Sequence, residues 1–256
     1  MAILENKVVL VTGASGGLGR TAARIFAREG ATVIVAARRE AECIDTVDQI
    51  RENGGTASFI KADITDDESI ANLFMSIEAE YGRLDGALNN VGIQPDAHNT
   101  ADLPLSEFDR TIKTNLRGTF LCLQQELRIM RKQGSGSVVN ISSGGGFKGL
   151  LNSVAYCTSK FGIVGMSKAA ALDMANAGIR INCLCPGAFR SPMLKGWTDQ
   201  GPGLEDLLLS GIPMGRIAKS DEIAEAALWL MSDAASYVTG AALLAEGGLM
   251  AGVKGL

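Results

Sequence analysis

Tyr156 and Lys160 stand four residues apart in the run Tyr156-Cys157-Thr158-Ser159-Lys160. On a helix that spacing puts both side chains on one face. A free tyrosine, with a pKa of about 10, is a poor base near neutrality. A neighbouring ammonium favours the phenolate and lowers that value. The phenol could then give a proton to a carbonyl oxygen, or take one from an alcohol, as a hydride moves. Ser143 follows an earlier apolar run and could hydrogen-bond the same oxygen. A lone Tyr–Lys pair on a helix is commonplace and reads as surface. Its weight here comes from its company.

That company begins with Thr12-Gly13-Ala14-Ser15-Gly16-Gly17-Leu18-Gly19, between a first apolar run and a helical pattern. Glycine permits a sharp turn and lets a pyrophosphate approach the backbone N–H groups of Ser15, Gly17 and Leu18. The helix dipole adds attraction for the anion. The second apolar run ends Ala36-Ala37-Arg38-Arg39. A site for NAD commonly places an acid there for the ribose 2′-hydroxyl, and Ala37 has none. The two arginines suit a 2′-phosphate, which guanidinium grips bidentately. NADP is therefore expected, with NAD possible: Arg38 could instead stack on adenine, and Glu40 and Glu42 could offset a solvated pair.

The elements that must position these groups alternate along the chain. Candidate strands are Val8–Val11, Val33–Ala36, Ala57–Ile60, Ala87–Asn89, Val138–Ile141, Ile181–Cys185 and Ala242–Leu244. Amphipathic stretches lie between them at Leu18–Glu29, Glu40–Asn53, Ser69–Tyr81, Phe108–Met130, Ala155–Ala177 and Glu222–Met231. Several strands are continuous apolar runs, as buried parallel strands should be. Gly30, Gly54, Gly55, Gly82 and Gly178 mark helix ends. The expected fold is α/β: one Rossmann-type domain over 1–256, a doubly wound parallel sheet of about seven strands with helices on both faces. Residues 188–215 read as one long irregular stretch, a size that is usually functional, and would be the substrate loop.

Composition narrows the function classes. The 256 residues are 46% hydrophobic and 20% charged, with a net charge of -4. No basic field invites nucleic acid or a membrane surface. No run approaches the roughly 18 apolar residues of a membrane helix. Five cysteines without framework spacing suggest reduced thiols and a cytoplasmic setting. Cys183 and Cys185 are expected to pack as small hydrophobes, and no metal site is expected. The single histidine, His98, leaves no Ser-His-Asp triad and no histidine metal site.

Taken in order, Thr12-Gly13-x-x-x-Gly17-x-Gly19, Asn89-Asn90-Val91-Gly92, Asn115, Ser143, Tyr156-x-x-x-Lys160 and Pro186-Gly187 resemble the short-chain dehydrogenase/reductase family from Val8 to Gly248. The resemblance implies a tetrad of Asn115, Ser143, Tyr156 and Lys160. It implies that Lys160 also holds the nicotinamide ribose. Asn115 would kink a helix and order a water that relays protons to Lys160. Asp63 looks like the family's adenine-contacting acid, with Ile64 beside it. Asn90 and Gly92 look like the turn that closes over the adenine ribose, and Pro186-Gly187 like the nicotinamide flank. Ser191 stands where a threonine commonly meets the carboxamide. Ala37-Arg38 looks like the family's NADP class. Val91, Glu246 and the bare Gly144-Gly145-Gly146 depart from the common pattern, and the glycines suggest a roomy site. The family commonly forms tetramers, and Leu116, Phe120 and Leu123 would give an apolar stripe to a homotetramer.

The function expected is an NADPH-dependent ketone or 3-oxo reductase with a small-molecule substrate. An NAD-dependent secondary-alcohol dehydrogenase is the alternative, and a nucleotide-binding regulator without turnover is a third reading. Gln94, Gly145, Phe147, Asn152, Phe189, Met193, Leu194 and Trp197 are candidate pocket walls. Arg190 reads as a surface residue rather than a substrate ligand.

Overall fold

The computed structural model describes residues 2–95, 97–199 and 201–252. Seven strands form one sheet: β1 (Val8–Thr12), β2 (Thr32–Ala37), β3 (Thr56–Lys61), β4 (Gly86–Asn89), β5 (Gly136–Ile141), β6 (Ile179–Pro186) and β7 (Ala242–Ala245). Their order is β3-β2-β1-β4-β5-β6-β7 and every pairing is parallel. All seven expected strands are present, several longer by a residue or two.

Period-two alternation feeds two cores. Val9 and Val11 join Phe26, Ala224 and Leu228 on one face. Val8 and Leu10 join Leu73, Phe74 and Met130 on the other. The first face is covered by α1 (Gly17–Arg28), α2 (Glu40–Glu52) and α9 (Ser220–Met231). The second is covered by α3 (Asp67–Tyr81), α5 (Gly118–Gln133) and α6 (Val154–Met174). Burial on both sides is why these strands show no polar face.

Two expectations about the elements are corrected. Phe108–Met130 is not one regular helix: α4 (Leu105–Thr111) passes through a π-helical segment at Ile112–Arg117 into α5. Residues 188–215 are not irregular throughout, since they hold α7 (Pro192–Thr198) and α8 (Leu204–Gly211). Leu204, Leu207 and Leu208 recur at helical spacing after Gly203, a signal that the prolines and glycines of the stretch masked. The proposed stripe on α5 also dissolves. Leu123 lies in the core, Leu116 packs under α6 beside Gly162, and only Phe120 is exposed. Cys183 and Cys185 are buried on one face of β6 with Sγ atoms 3.6 Å apart, and all five cysteines are free.

The strand order reverses direction between β1 and β4. In an open parallel sheet the crevice beyond the strand ends at such a switch point is where ligands bind. No helix among the described residues is long and apolar enough to cross a membrane.

Candidate active site

A cleft of about 1320 Å³ runs along the carboxyl ends of the strands. It begins at the turn between β1 and α1. Gly13 and Gly17 have φ of +72° and +53°, the left-handed region that favours glycine. A Cβ on Gly19 would collide with the Gly13 carbonyl and lie 2.8 Å from Asn90 Nδ2. Gly16 is the N-cap of α1 and no side chain caps that end. The first N–H groups of α1 therefore remain for an anion. The glycines let the turn close tightly against Asn90 and Val91 and leave the uncapped N–H groups bare, so the turn fits a dinucleotide pyrophosphate.

Around this turn the polar groups are tied together. Thr12 Oγ1 accepts from Asn90 N at 3.1 Å, and Asn90 Nδ2 donates to the Gly13 carbonyl at 3.4 Å. Arg39 donates to Ser15 Oγ at 2.9 Å and pairs with Glu42 at 3.3 Å. Arg38, 70% exposed at its side chain, reaches Asp63 at 3.6 Å. Glu40 pairs with Lys61 instead of an arginine. Burial would raise the Asp63 pKa. The Thr65 N–H and hydroxyl, with Arg38 behind them, outweigh it and hold the carboxyl below its usual range. Ile64 lines the same end of the cleft, as does Thr65, which sequence reasoning missed. Its position two residues after an aspartate at a strand end was the available signal.

The catalytic candidates meet at the centre. Tyr156 and Lys160 occupy the first two turns of α6 and are both buried. Lys160 Nζ lies 5.5 Å from the Tyr156 ring centroid and donates to the Ile141 carbonyl at 3.1 Å. Burial lowers the Lys160 pKa to about 8, with Cys183 and Cys185 working against that shift. Tyr156 goes the other way from the expectation. Burial raises its pKa and the neighbouring Ser143 hydroxyl only partly offsets it. Desolvation disfavours the phenolate more than a lysine that is itself desolvated can favour it. Burial thus favours the protonated phenol at Tyr156. Ser143 Oγ accepts from Gly145 N at 3.1 Å, and its hydroxyl lies within hydrogen-bonding reach of the Tyr156 oxygen.

Asn115 is fully buried within the π-helical segment. Its Oδ1 accepts from Ile93 N and its Nδ2 donates to Ile93 O, both at 2.8 Å. Nδ2 also reaches Ser159 Oγ at 3.0 Å, one residue before Lys160. The widened π turn is the distortion expected at this asparagine. It ties α5 to α6 and to the loop after β4. A Cβ on Gly92 would stand 3.3 Å from Lys160 Nζ, so that loop lies against the lysine.

Pro186, Gly187 and Ser191 line the cleft beyond β6. A Cβ on Gly187 would meet Glu246 Cα at 2.7 Å, so only glycine fits between the ends of β6 and β7. Ser191 caps α7, its Oγ accepting from Leu194 N at 3.1 Å. Of the expected walls, Gln94, Gly145, Asn152, Phe189, Met193, Leu194 and Trp197 border the cleft. Phe147 does not; it faces outward, because the turn after Gly146 directs it away. Arg190 is a surface residue in a bidentate pair with Glu205. Leu204, Leu207 and Leu208 of α8 are wall residues that were not foreseen. No cluster of metal-ligating side chains occurs among the described residues.

Comparison with known proteins agrees with this geometry. A family model described as enoyl-(acyl carrier protein) reductase matches residues 13–250. An A-factor type gamma-butyrolactone 1′-reductase of Streptomyces virginiae is 39% identical, with 96% of each chain covered. A 2,5-dichloro-2,5-cyclohexadiene-1,4-diol dehydrogenase of Sphingobium indicum is 38% identical, over 98% of this chain and all of that one. The crystal structure of a gluconate 5-dehydrogenase from Burkholderia cenocepacia J2315, in complex with NADP and tartrate, has a TM-score of 0.93. It is 28% identical and is covered over 97%, against 98% of this chain.

Proposed function

We infer that this chain, which belongs to the short-chain dehydrogenase/reductase family and is an oxidoreductase, reduces a ketone with NADPH and uses Tyr156 as its acid. The observation that carries the reading is a buried Tyr156 beside Ser143 and Lys160, in the cleft that opens on the glycine turn.

Gly13, Ser15, Gly17, Leu18 and Gly19 would hold the pyrophosphate. Asp63, Ile64, Asn90 and Gly92 would hold the adenosine, and Lys160, Pro186, Gly187 and Ser191 the nicotinamide end. When bound, that ring supplies or takes up a hydride. The protein's own part is to bind, orient and move a proton. The Ser143 hydroxyl donates to the substrate oxygen and Tyr156 gives it the proton. Lys160, an ammonium or amine according to pH near 8, stabilises the phenolate left behind. Asn115 holds the loop and helix that carry these groups.

Arg38 and Arg39 support NADP, as both line the cleft just after β2 and Ala37 brings no carboxylate. The Arg38–Asp63 pair favours the second reading, an NAD-dependent alcohol dehydrogenase, because that guanidinium already has a partner. Comparing kcat/KM for NADPH and NADH separates the two. A homotetramer fits the exposed Phe120, Phe161 and Leu172 on α5 and α6, and light scattering tests it. The mechanism is tested by Tyr156→Phe, which keeps the ring and removes the proton. kcat should fall at least about 100-fold while NADPH still binds. Near-normal turnover would end the assignment.

A further inference from the structure

Helices α7 and α8 form a lid over one end of the cleft, and none of their residues is fully buried. Most of their apolar residues nevertheless border the cleft. Met193, Trp197, Leu204, Leu207 and Leu208 all line it, as does Leu151. Leu151 is 90% exposed and Leu207 66% exposed, although each borders a site. The charged residues of the same lid, by contrast, are absent from the lining. Arg190 is paired with Glu205 and Lys195 with Asp199, both at 2.6 Å. Such a face lacks a protein partner and has no ionic group left to offer a ligand.

The space next to the reacting groups agrees. Gly144 is buried, yet a Cβ built on it would meet nothing within 4 Å. Its missing side chain therefore opens into the cleft beside Ser143. A Cβ on Gly145 would stand 3.3 Å from the Tyr156 ring and 3.2 Å from Leu150. Bulk adjacent to the carbonyl has room at Gly144 and is bounded at Gly145.

The cations of the lining lie elsewhere or are engaged, with one exception. Among the engaged ones, Lys160 at the reacting centre donates to the Ile141 carbonyl. Arg38 and Arg39 are at the glycine turn, and Lys113 acts on Asp67 near the same end. Arg110 pairs with Glu107. Lys148, half-buried, borders the cleft and forms no ion pair among the described residues. It is the one group that could argue for an anionic substrate.

We propose that the lid end of this cleft takes an uncharged, largely apolar ketone or secondary alcohol, cyclic or branched beside the carbonyl, and takes neither a polyol nor a carboxylate. This rests on the oxidoreductase reading above and narrows it. A sugar would set most of its hydroxyls against leucines, with Gln94, Asn152 and Ser153 the uncharged polar side chains of the wall nearby. A carboxylate would leave a charge there, which is costlier still.

The test uses three probes with the whole enzyme and NADPH: 4-tert-butylcyclohexanone, 4-oxocyclohexanecarboxylate and a ketohexose. A second readout is fluorescence of Trp197, isolated by Trp229→Phe, as each probe is added to the protein. The expected result is a kcat/KM for the apolar ring roughly 10- to 100-fold above the other two, and quenching of Trp197 by it alone. Leu208→Lys should reverse the order of the two ring compounds. A wild-type preference for the carboxylate that disappears in Lys148→Met would overturn the proposal, as would a preference for the sugar. Saturable quenching by the apolar ring without turnover of any probe would uphold the substrate class and count against the reductase reading. Absence of quenching and turnover with that ring would overturn the class.

Discussion

At the glycine-turn end of the cleft, Ser15, Arg38, Arg39, Asp63 and Asn90 are bound to one another or to neighbouring groups over 2.9–3.6 Å. Behind them stand strands buried on both faces. At the lid end, α7 and α8 contribute no fully buried residue to either core, and their leucines are half-buried or, at Leu207, exposed. One end is shaped by backbone, with its polar side chains paired within the protein and the first N–H groups of α1 left for an anion. The other is shaped by side chains and left for a ligand to satisfy. The fold thus separates what must be constant from what must be selective.

The largest expected effect concerns how the constant end is underpinned. Glu126 on α5 is completely buried and burial raises its pKa to about 8. Asn89, beside Asn90, donates to Glu126 Oε2 at 2.9 Å and to Asn140 Oδ1 at 3.0 Å. Glu126 Oε1 and Asn89 Oδ1 are both left without a partner. A proton on Glu126 would turn one of these buried acceptors into a donor, in keeping with the raised pKa. Cys122, on the same helix, is the other titratable group nearby. The folded pKa lies above the ordinary 4.5, so the unfolded chain binds fewer protons between those values. Stability must then fall as pH rises from 4.5 to about 8, by up to about 1.4 kcal/mol per pH unit. Glu126→Gln keeps a donor and removes the titration. Denaturant melts of both proteins across that window should diverge, with the variant gaining. Parallel curves would mean that the carboxyl is ionised or solvated.

Gly19→Ala attacks the same end through its backbone. The added Cβ meets the Gly13 carbonyl, which cannot yield without opening the turn. Overpacking of this kind costs about 1–3 kcal/mol. We expect a lower Tm together with roughly tenfold weaker NADPH binding. A normal Tm and normal binding would show that the turn is as adaptable as the lid.

Arg38→Ala should cost less. A charge-assisted hydrogen bond contributes about 1.5–3 kcal/mol, and exposure pushes that to the low end. Roughly a tenfold preference for NADPH over NADH should vanish in the variant. A wild type that favours NADH would instead assign Arg38 to the Asp63 pair. The measurement is the ratio of kcat/KM values for the two cofactors.

The same contrast governs what could be read from the sequence. The strands, the glycine turn and the Tyr156–Lys160 pair follow local rules of period two, positive φ and i,i+4 spacing. They are found where those rules put them. The π segment at Ile112–Arg117 leaves no periodic trace in the sequence, and only the family resemblance points to a kink at Asn115, whose side chain bonds Ile93. The raised pKa of Tyr156 depends on burial, which spacing does not report. In the lid, Pro202 and Gly203 hid α8, and its leucines then lacked a helix to place them.

The smallest expected effect is the one that tests the lid most directly. Leu207 lies on α8 with two thirds of its surface exposed, whereas Leu73 on α3 is wholly buried. Leu73→Ala removes packed methyl groups and should cost about 2–5 kcal/mol. Leu207→Ala removes little burial, and alanine serves a helix at least as well as leucine. Its stability should stay within about 0.5 kcal/mol of wild type, a Tm shift of about 2 °C or less. Function should still notice the change. The lost methyl groups face the cleft, so KM for an apolar ketone should rise roughly fivefold or more, while the NADPH Kd stays fixed. Thermal melts and steady-state kinetics on the two alanine variants give the comparison. If Leu207→Ala lowered Tm as far as Leu73→Ala, α8 would be part of the folded core. If it left KM unchanged, the lid's leucines would have no part in recognising the substrate.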